Sequence, residues 1–277
     1  MNDISNDISS TFLPAETRHI EIHGAEGFEG MRKAGRLAAE TLDFIVPYVK
    51  PDVSTGTLDR LIHDYTVAND AIPAPLNYRG FPKAICTSVN HVVCHGIPGK
   101  RTLAKGDIVN IDVTVILNGW HGDSSRMFFT GPVGIKARRL VDITFEALWR
   151  GIEVVRPGAT TGDIGHAIQE FAESHHYSVV RDFCGHGLGR VFHTAPNVMH
   201  FGRPGQGTTL KEGMFFTIEP MINSGRHEVR VLKDGWTAVT KDRSLSAQFE
   251  HSIGVTADGC ELFTLSPAGL HNPPYGL

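Results

Sequence analysis

Residues 106–129, GDIVNIDVTVILNGWHGDSSRMFF, predict a β-hairpin whose register is fixed by its turn. Asn118-Gly119 separates two alternating runs, and this dipeptide is the strongest short signal of a two-residue hairpin turn. A turn of that length pairs Leu117 with Trp120, and every other cross-strand pair follows from it. One face of the first strand is entirely apolar: Val109, Ile111, Val113, Val115 and Leu117. We expect that face to be core and the polar face to meet a cavity.

Two acidic residues fall on the polar face of this hairpin. The register places Asp123 opposite Thr114, and Asp112 shares the Thr114 face because side chains repeat every two residues along a strand. The two carboxylates are then diagonal neighbours, about 7–8 Å apart at the backbone and able to converge on metal ions. An ordinary exposed hairpin, whose polar face meets water, is the alternative.

Composition limits the classes of protein to which the chain can belong. Its 277 residues fit one large domain or two small ones, and 41% apolar with 20% charged residues is ordinary for a soluble globular protein. A formal net charge of -4 gives no reason to expect nucleic acid as a partner. No apolar run approaches the length of a membrane span. Fifteen histidines are many for this length and give a weak hint of metal.

Cysteine usage and the start of the sequence favour a cytoplasmic location. The cysteines lack close C-x-x-C spacing, are too few to staple a chain of this length, and are expected to be reduced thiols: Cys86, Cys94, Cys184 and Cys260. The first residues, MNDISNDISSTF, have neither the basic start nor the apolar run of a signal peptide.

An internal repeat relates the two halves of the chain. Residues 26–46 predict an amphipathic helix that Pro47 ends, and a second helix is predicted to begin near Thr57. VKPDVSTGTLDRLI, residues 49–62, matches VRPGATTGDIGHAI, residues 155–168, at a constant offset of 106 residues. Chance similarity is the alternative, since Pro and Thr-Gly are common at helix starts. A true repeat predicts an α+β domain of two pseudo-twofold halves with a site between them.

The second half supplies three further candidate ligands. CGHGLG predicts a glycine-rich loop around His186, and EGMFFTIEPMI predicts a buried strand that carries Glu219 and bulges or ends at Pro220. SAQFEHSIGVT predicts a strand with Gln248 and Glu250 on one face. A carboxylate in an apolar strand needs a partner or a metal, and an ion pair with Arg or Lys is the common alternative for either glutamate.

The candidate ligands are four carboxylates and one imidazole: Asp112, Asp123, His186, Glu219 and Glu250. One divalent ion would leave this set with a net charge of about -2 in a dry pocket, whereas two divalent ions balance it. Oxygen-rich ligation favours Mn, Fe(II) or Co, whereas structural zinc is usually held by sulfur and nitrogen ligands.

Seven motifs, in order, resemble those of the bacterial type I methionine aminopeptidases: NYRGFPKAICTSVN, VVCHGIP, NIDVTV, HGDSSRMF, CGHGLGRVFH, FTIEP and AQFEH. The resemblance implies the pita-bread fold, an α+β domain of two pseudo-symmetric halves around a central dinuclear metal site. It divides the chain into a disordered tail (residues 1–19), a catalytic domain (residues 20–265) and a C-terminal tail (residues 266–277).

The resemblance implies a role for each ligand. Asp112 would bind one metal ion, His186 and Glu219 the other, and Asp123 and Glu250 would bridge both. The implied cofactors are two divalent ions, with Co, Mn, Fe(II), Zn and Ni as candidates. The implied catalytic residues are His95, His193 and Glu219.

The resemblance also implies a substrate pocket, formed by Tyr78, Phe81, Cys86, His95, Phe192, His193, Trp236 and Gln248. An aromatic, sulfur-containing wall suits the polarizable thioether of methionine. Asn90, Val92 and Ser246 match positions where relatives hold a monovalent cation. His91, where an acidic residue is expected, and Pro75, which is Cys in some relatives, bear on substrate fit and not on the chemistry.

The implied activity is removal of N-terminal methionine from nascent polypeptides or peptides, with preference for a small second residue and with metal-activated water as the nucleophile. We expect a monomer working near the ribosome, without specific nucleic acid or membrane binding. A peptidase of the proline-specific branch shares the ligand set and is one alternative, although those enzymes usually carry an extra amino-terminal domain. A non-catalytic binding protein of the same fold normally lacks ligands, and none is missing here.

Overall fold

The protein is described here by a computed structural model that covers residues 19–275, so the predicted tail of residues 1–19 lies almost wholly outside the described part. The described helices are α1 (Ala25–Ile45), α2 (Thr55–Ala68), α3 (Ile135–Glu153) and α4 (Thr161–Ser174). Short 3-10 turns span Val46–Tyr48 and Tyr78–Gly80. None of these helices is both long and apolar enough to cross a membrane.

The strands of the described chain are β1 (Ile72–Pro73), β2 (Cys86–Val89), β3 (Val92–Cys94), β4 (Ile108–Leu117), β5 (Trp120–Phe129), β6 (Ser178–Val179), β7 (Gly185–Gly187), β8 (Thr194–Val198), β9 (Phe215–Ile218), β10 (Met221–Asn223), β11 (Val229–Val231), β12 (Ala238–Thr240), β13 (Ser246–Gln248), β14 (Glu250–Val255) and β15 (Cys260–Leu262). The main sheet has the order β1-β4-β5-β14-β9-β7-β8, with β2 paired to β4 and β15 to β14. Two small sheets flank it, β13-β10-β6 and β11-β12-β3.

The predicted hairpin is confirmed in register. Leu117 pairs with Trp120 and Thr114 with Asp123 across β4 and β5. Asn118 and Gly119 have φ values of 52° and 81°, the two left-handed residues of a turn that matches strand twist. The apolar face of β4 packs beneath α1 and α2 in one hydrophobic cluster. The polar face is thereby directed away from that core.

The predicted repeat is confirmed by equivalent helix starts. Ser54 caps α2 and Thr160 caps α4, each accepting from the backbone N–H three residues later. The following Thr-Gly is explained by a close approach: Gly56 N–H donates to Gly99 O and Gly162 N–H to Gln206 O, both at 2.9 Å. A Cβ on either glycine would crowd the carbonyl oxygen to which that glycine donates.

The repeat continues into the strands that carry the candidate ligands. KGDIVNID, residues 105–112, aligns with EGMFFTIE, residues 212–219, at an offset of 107 residues, and β4 and β9 begin at equivalent positions. Asp112 and Glu219 are therefore counterparts in the two halves. The pseudo-twofold relation places their carboxylates on the same central cavity.

Two predictions for the second half are wrong in detail. The strand predicted over residues 246–256 is broken at Phe249, because β13 pairs with β10 in a small sheet while β14 joins the main sheet. The predicted loop around His186 is strand β7. Its glycines permit this, because a Cβ on Gly187 would overlap the Ala195 carbonyl of β8.

The segment after Leu265 contacts the N-terminal half. Ser266 Oγ donates to the Asp43 carboxylate at 2.8 Å, and Tyr275 Oη donates to Met127 O at 2.8 Å. The Asp43 carboxylate also pairs with the buried Arg126 guanidinium of β5. The predicted domain boundary at residue 265 thus precedes residues that pack on the body of the domain.

Candidate metal centre

A cavity of about 280 Å³ lies where the strands of the two halves meet. All five predicted metal ligands and all eight predicted substrate-binding residues line it. Asp112 and Asp123 come from the β4–β5 hairpin, His186 from β7, Glu219 from the residue after β9, and Glu250 from the first residue of β14. The structure therefore brings together side chains that are as many as 138 residues apart in sequence.

The ligand atoms of Asp123, His186 and Glu250 all lie within 4.8 Å of one another. His186 Nε2 is 3.5 Å from Asp123 Oδ2 and 3.7 Å from Glu219 Oε1. His186 Nδ1 lies 3.1 Å from Gly187 O, and because a carbonyl can only accept, Nδ1 carries the proton. Nε2 is therefore the atom that faces the carboxylates and would bind a metal ion, as in metal-binding histidines whose other nitrogen donates to a carbonyl.

Two threonine hydroxyls orient the carboxylates. Thr114 Oγ1 donates to Asp123 Oδ1 and Thr217 Oγ1 donates to Glu219 Oε1, both at 2.7 Å. Thr217 Oγ1 also accepts from the backbone N–H of His186 at 3.0 Å, so it links two candidate ligands. Such outer contacts hold ligands in place and are typical of metal centres.

The carboxylates are held in an environment that disfavours their negative charge. Burial, with the charges of Asp123 and Glu219 adding, raises the pKa of Asp112 well above its usual value. Burial and the charges of Asp123, Glu219 and Asp112 do the same to the pKa of Glu250. Burial raises the pKa of Glu219 to about 7 although the charge of His186 opposes the shift. Cations bound among these buried carboxylates would stabilise their charged forms.

The alternative explanation for the buried glutamates was an ion pair with Arg or Lys. The basic group within 4 Å of Asp123 and of Glu219 is instead the His186 imidazole, which is a cation when it is protonated. Burial disfavours the imidazolium, but the hydrogen bond to Asp123 and the charge of Glu219 outweigh it and raise the pKa of His186. One imidazole cannot balance four carboxylates, so the donor set fits divalent metal ions.

Comparisons with known proteins agree with this chemistry. The sequence profile of metallopeptidase family M24 matches residues 29–257. The chain belongs to this metallopeptidase family. A methionine aminopeptidase from Rickettsia prowazekii is 63% identical over 257 residues, which are 92% of this chain and 99% of the relative. A methionine aminopeptidase from Escherichia coli K12 is 56% identical over 248 residues, 89% of this chain and 94% of the relative.

Solved structures of the M24 family give the fold. The crystal structure of the Rickettsia prowazekii methionine aminopeptidase superposes with a TM-score of 0.89 over 89% of this chain and 100% of that one. A prolidase from Pyrococcus furiosus, 21% identical, superposes with a TM-score of 0.70 over 88% of this chain and 65% of that one. This chain thus has the pita-bread fold that its sequence predicted.

Two further imidazoles of the cavity, those of His193 and His95, lie beside the ligand cluster. The ring of His193 lies 4.1 Å from that of His186 and 5.1 Å from that of Tyr78, centroid to centroid. Burial, with the charge of His186 adding, lowers the pKa of His95 to about 4 and that of His193 well below its usual value. Both rings are therefore neutral at neutral pH. Within residues 19–275, His193 Nδ1 has no hydrogen-bond partner.

Aromatic rings form another part of the cavity lining. The rings of Phe81 and Trp236 make an edge contact at 5.1 Å, and those of Tyr78 and Phe192 lie 4.8 Å apart. Cys86 is the cross-strand partner of Asp112, so this wall begins directly beside a candidate ligand. Burial, with the charge of Asp112 adding, raises the pKa of the Cys86 thiol well above its usual value. The thiol therefore stays neutral and acts as an apolar surface.

The residues predicted to hold a monovalent cation are neighbours. Ser246 N–H donates to Asn90 O at 2.8 Å, and Val92 lies two residues further along in β3. The Ser246 hydroxyl is buried and has no hydrogen-bond partner among the described residues. The cation itself stays a prediction.

Several cavity-lining residues were missed by sequence reasoning. Cys94, Cys184 and Phe183 are chain neighbours of predicted site residues, so adjacency was a usable signal. Arg79 directly follows Tyr78 and is marked by the same signal, whereas no pattern in the sequence marks Asp182; both are exposed residues that line the cavity.

The raised pKa of Glu219 predicts how the metal-free protein responds to pH. Folding holds a proton on Glu219 up to about pH 7, whereas an ordinary glutamate releases it near pH 4.5. The unfolded chain thus binds fewer protons in this window, and the free energy of unfolding should fall as pH rises through it, by about 3 kcal/mol from Glu219. Denaturant unfolding of chelated protein at pH 5 and pH 7.5 measures the loss.

The control for this prediction is Glu219→Gln, which cannot titrate and keeps the shape of the side chain. Its stability should change less with pH than that of the chelated wild type. Equal pH dependence in the two proteins would contradict the environment assigned to Glu219.

Proposed function

We propose that this protein is a metal-dependent aminopeptidase that removes the N-terminal methionine from polypeptides whose second residue is small. The observation that carries the proposal is one cavity whose lining has two chemically different parts. The carboxylates and imidazoles suit hydrolysis, and the aromatic rings and the thiol suit a thioether side chain. The Cys86–Asp112 cross-strand pair joins the two parts, which supports a substrate whose first peptide bond lies beside the ligands.

The five ligands are proposed to hold two divalent ions, with Asp123 and Glu250 shared between them. The shared pair is supported by position, because Asp123 and Glu250 both lie in the group that includes His186. Ions bound there would supply a water-derived nucleophile near neutral pH and positive charge beside the substrate carbonyl. The candidates remain Co, Mn, Fe(II), Zn and Ni, since oxygen-rich sites accept several of these ions.

The side chains of the protein are proposed to handle the protons and the substrate. Glu219, with one oxygen bound to the Thr217 hydroxyl, takes the proton of the attacking water and passes it to the leaving amine. His193 and His95, both neutral, donate hydrogen bonds to the substrate as charge develops on its carbonyl oxygen. Gln248 Nε2, 3.3 Å from Glu219 Oε2, keeps the glutamate directed into the cavity.

The proposed substrates are nascent proteins, which meet a cytoplasmic monomer close to the ribosome. Support for this setting comes from the cysteines, which are free thiols in the described residues. The proposed catalytic domain comprises residues 20–265, and the described residues that follow it, up to residue 275, pack on its N-terminal half. A monovalent cation at Asn90, Val92 and Ser246 is proposed to stiffen the turn before β3.

The proline-specific branch of the fold is the competing activity. The methionine aminopeptidase relatives are matched over 94–99% of their length, whereas the prolidase is matched over 65%. The aromatic wall also favours an extended thioether over a residue followed by proline. Both points support methionine as the first residue.

A peptide panel tests the proposal. With added Co(II) or Mn(II), the protein should release methionine from Met-Ala peptides, release it far more slowly from Met-Lys peptides, and leave Ala-Pro peptides intact. Cleavage of the Ala-Pro peptide in preference to the Met-Ala peptide would assign the protein to the other branch.

A further inference from the structure

Glu219 differs from its repeat counterpart in how its backbone is held. Asp112 lies inside β4 and has cross-strand neighbours on both sides, Cys86 in β2 and Ser125 in β5. β9 instead ends at Ile218, and Pro220 begins the crossing to β10 in a different sheet. Glu219 therefore lies beyond the ladder. A backbone N–H at a buried position without a strand partner needs an acceptor from elsewhere.

His200 supplies that acceptor. It follows β8, its exposed fraction is 0%, and its Nε2 accepts from the Glu219 N–H at 3.0 Å. A ring nitrogen that accepts carries no proton, so the proton of this neutral imidazole is on Nδ1. Within the described part of the chain, Nδ1 is buried without a hydrogen-bond partner.

A buried histidine would be an unfavourable choice at position 200 if its side chain only filled space in the core. The buried Nδ1–H of His200 has no partner among the described residues and destabilises the folded state. An apolar side chain of similar size would avoid that penalty but would leave the Glu219 N–H without an acceptor. The only hydrogen bond that His200 makes through Nε2 in the described chain goes to the residue proposed to carry the proton. The burial of a half-satisfied imidazole here is explained if Glu219 requires the bond.

We propose that His200 is a positioning residue that fixes the backbone of Glu219 and so directs its carboxylate. The other polar groups of Glu219 already have partners: Thr217 Oγ1 donates to Oε1 at 2.7 Å, and Gln248 Nε2 donates to Oε2 at 3.3 Å and to the carbonyl at 3.4 Å. His200 completes this set at the one group that the sheet leaves unpaired. The inference rests on the role proposed for Glu219.

The test compares His200→Gln with His200→Leu. The glutamine amide oxygen can take the place of Nε2 as an acceptor, whereas leucine fills the volume without one. In chelated protein, amide hydrogen exchange at Glu219 should be about tenfold faster in H200L than in wild type and nearly unchanged in H200Q. This readout needs neither metal nor activity.

With metal restored, H200L should lose about 10- to 100-fold in kcat with little change in KM, and H200Q should stay close to wild type. Should H200L not fold, His200→Asn takes its place, because its amide is one methylene too short to reach the Glu219 N–H. Equal exchange rates and equal kcat in the variants with and without an acceptor would overturn the proposal. Absence of methionine release by wild type would instead refute the proposed function, while the exchange comparison still tests the bond.

Discussion

Glu250→Ala should release both proposed metal ions and reduce methionine release by a factor on the order of 10³ or more, because the ions are proposed to supply the nucleophile. Glu250 is 3% exposed and belongs to the group of ligand atoms within 4.8 Å that includes Asp123 and His186. If Glu250 is shared by two ions, as proposed, its removal leaves both with too little negative charge and an incomplete ligand shell. Metal content by mass spectrometry and kcat on a Met-Ala peptide measure the effect.

Loss of metal in this variant must be separated from loss of fold. In chelated wild type at pH 7.5, the charge of Glu250 is unfavourable, since burial and its acidic neighbours raise its pKa. Chelated Glu250→Ala should therefore unfold at a temperature no lower than chelated wild type. Trp236→Ala, in the aromatic part of the cavity lining, is the matched control and should keep its metal while changing peptide selectivity. Equal metal retention in the two variants would refute the assignment of Glu250.

His193→Ala should bind both metal ions, fold normally and lose about 10²–10³ in kcat, or about 3–4 kcal/mol of transition-state stabilisation. The ring stacks on His186 at 4.1 Å but is not in the group of ligand atoms. Its low pKa keeps it neutral, so it offers one N–H to a substrate oxygen as negative charge develops. That contact is stronger in the transition state, so kcat should change more than KM.

Two measurements can refute this role for His193. Loss of a metal ion from the variant would make the imidazole a ligand. Hydrolysis of a Met-Ala peptide at the wild-type rate would leave it without a part in turnover.

The first half of the site could be predicted from sequence because local rules determine it. The Asn118-Gly119 turn fixes every pair between β4 and β5, so the common face of Asp112 and Asp123 follows without tertiary information. The offset of 106 residues likewise identified the two halves. The alignment of residues 105–112 with residues 212–219 was also present in the sequence and would have placed Glu219 opposite Asp112.

The second half of the site could not be predicted in the same detail, because the chain passes from one sheet to another beside Glu219 and Glu250. The alternation from Ser246 to Val255 continues unbroken through Phe249, although the strands on either side pair in different sheets. Only Pro220 signals the equivalent break after Glu219. The acceptor role of His200 depends on that break, and a lone histidine after a strand carries no sequence signal of its own.

The most direct test of the account is a metal titration of chelated protein that follows bound metal and methionine release from a Met-Ala peptide together. The account predicts no release without metal, recovery with Co(II) or Mn(II), and saturation of binding at two ions per chain. Full activity in exhaustively metal-free protein would contradict it.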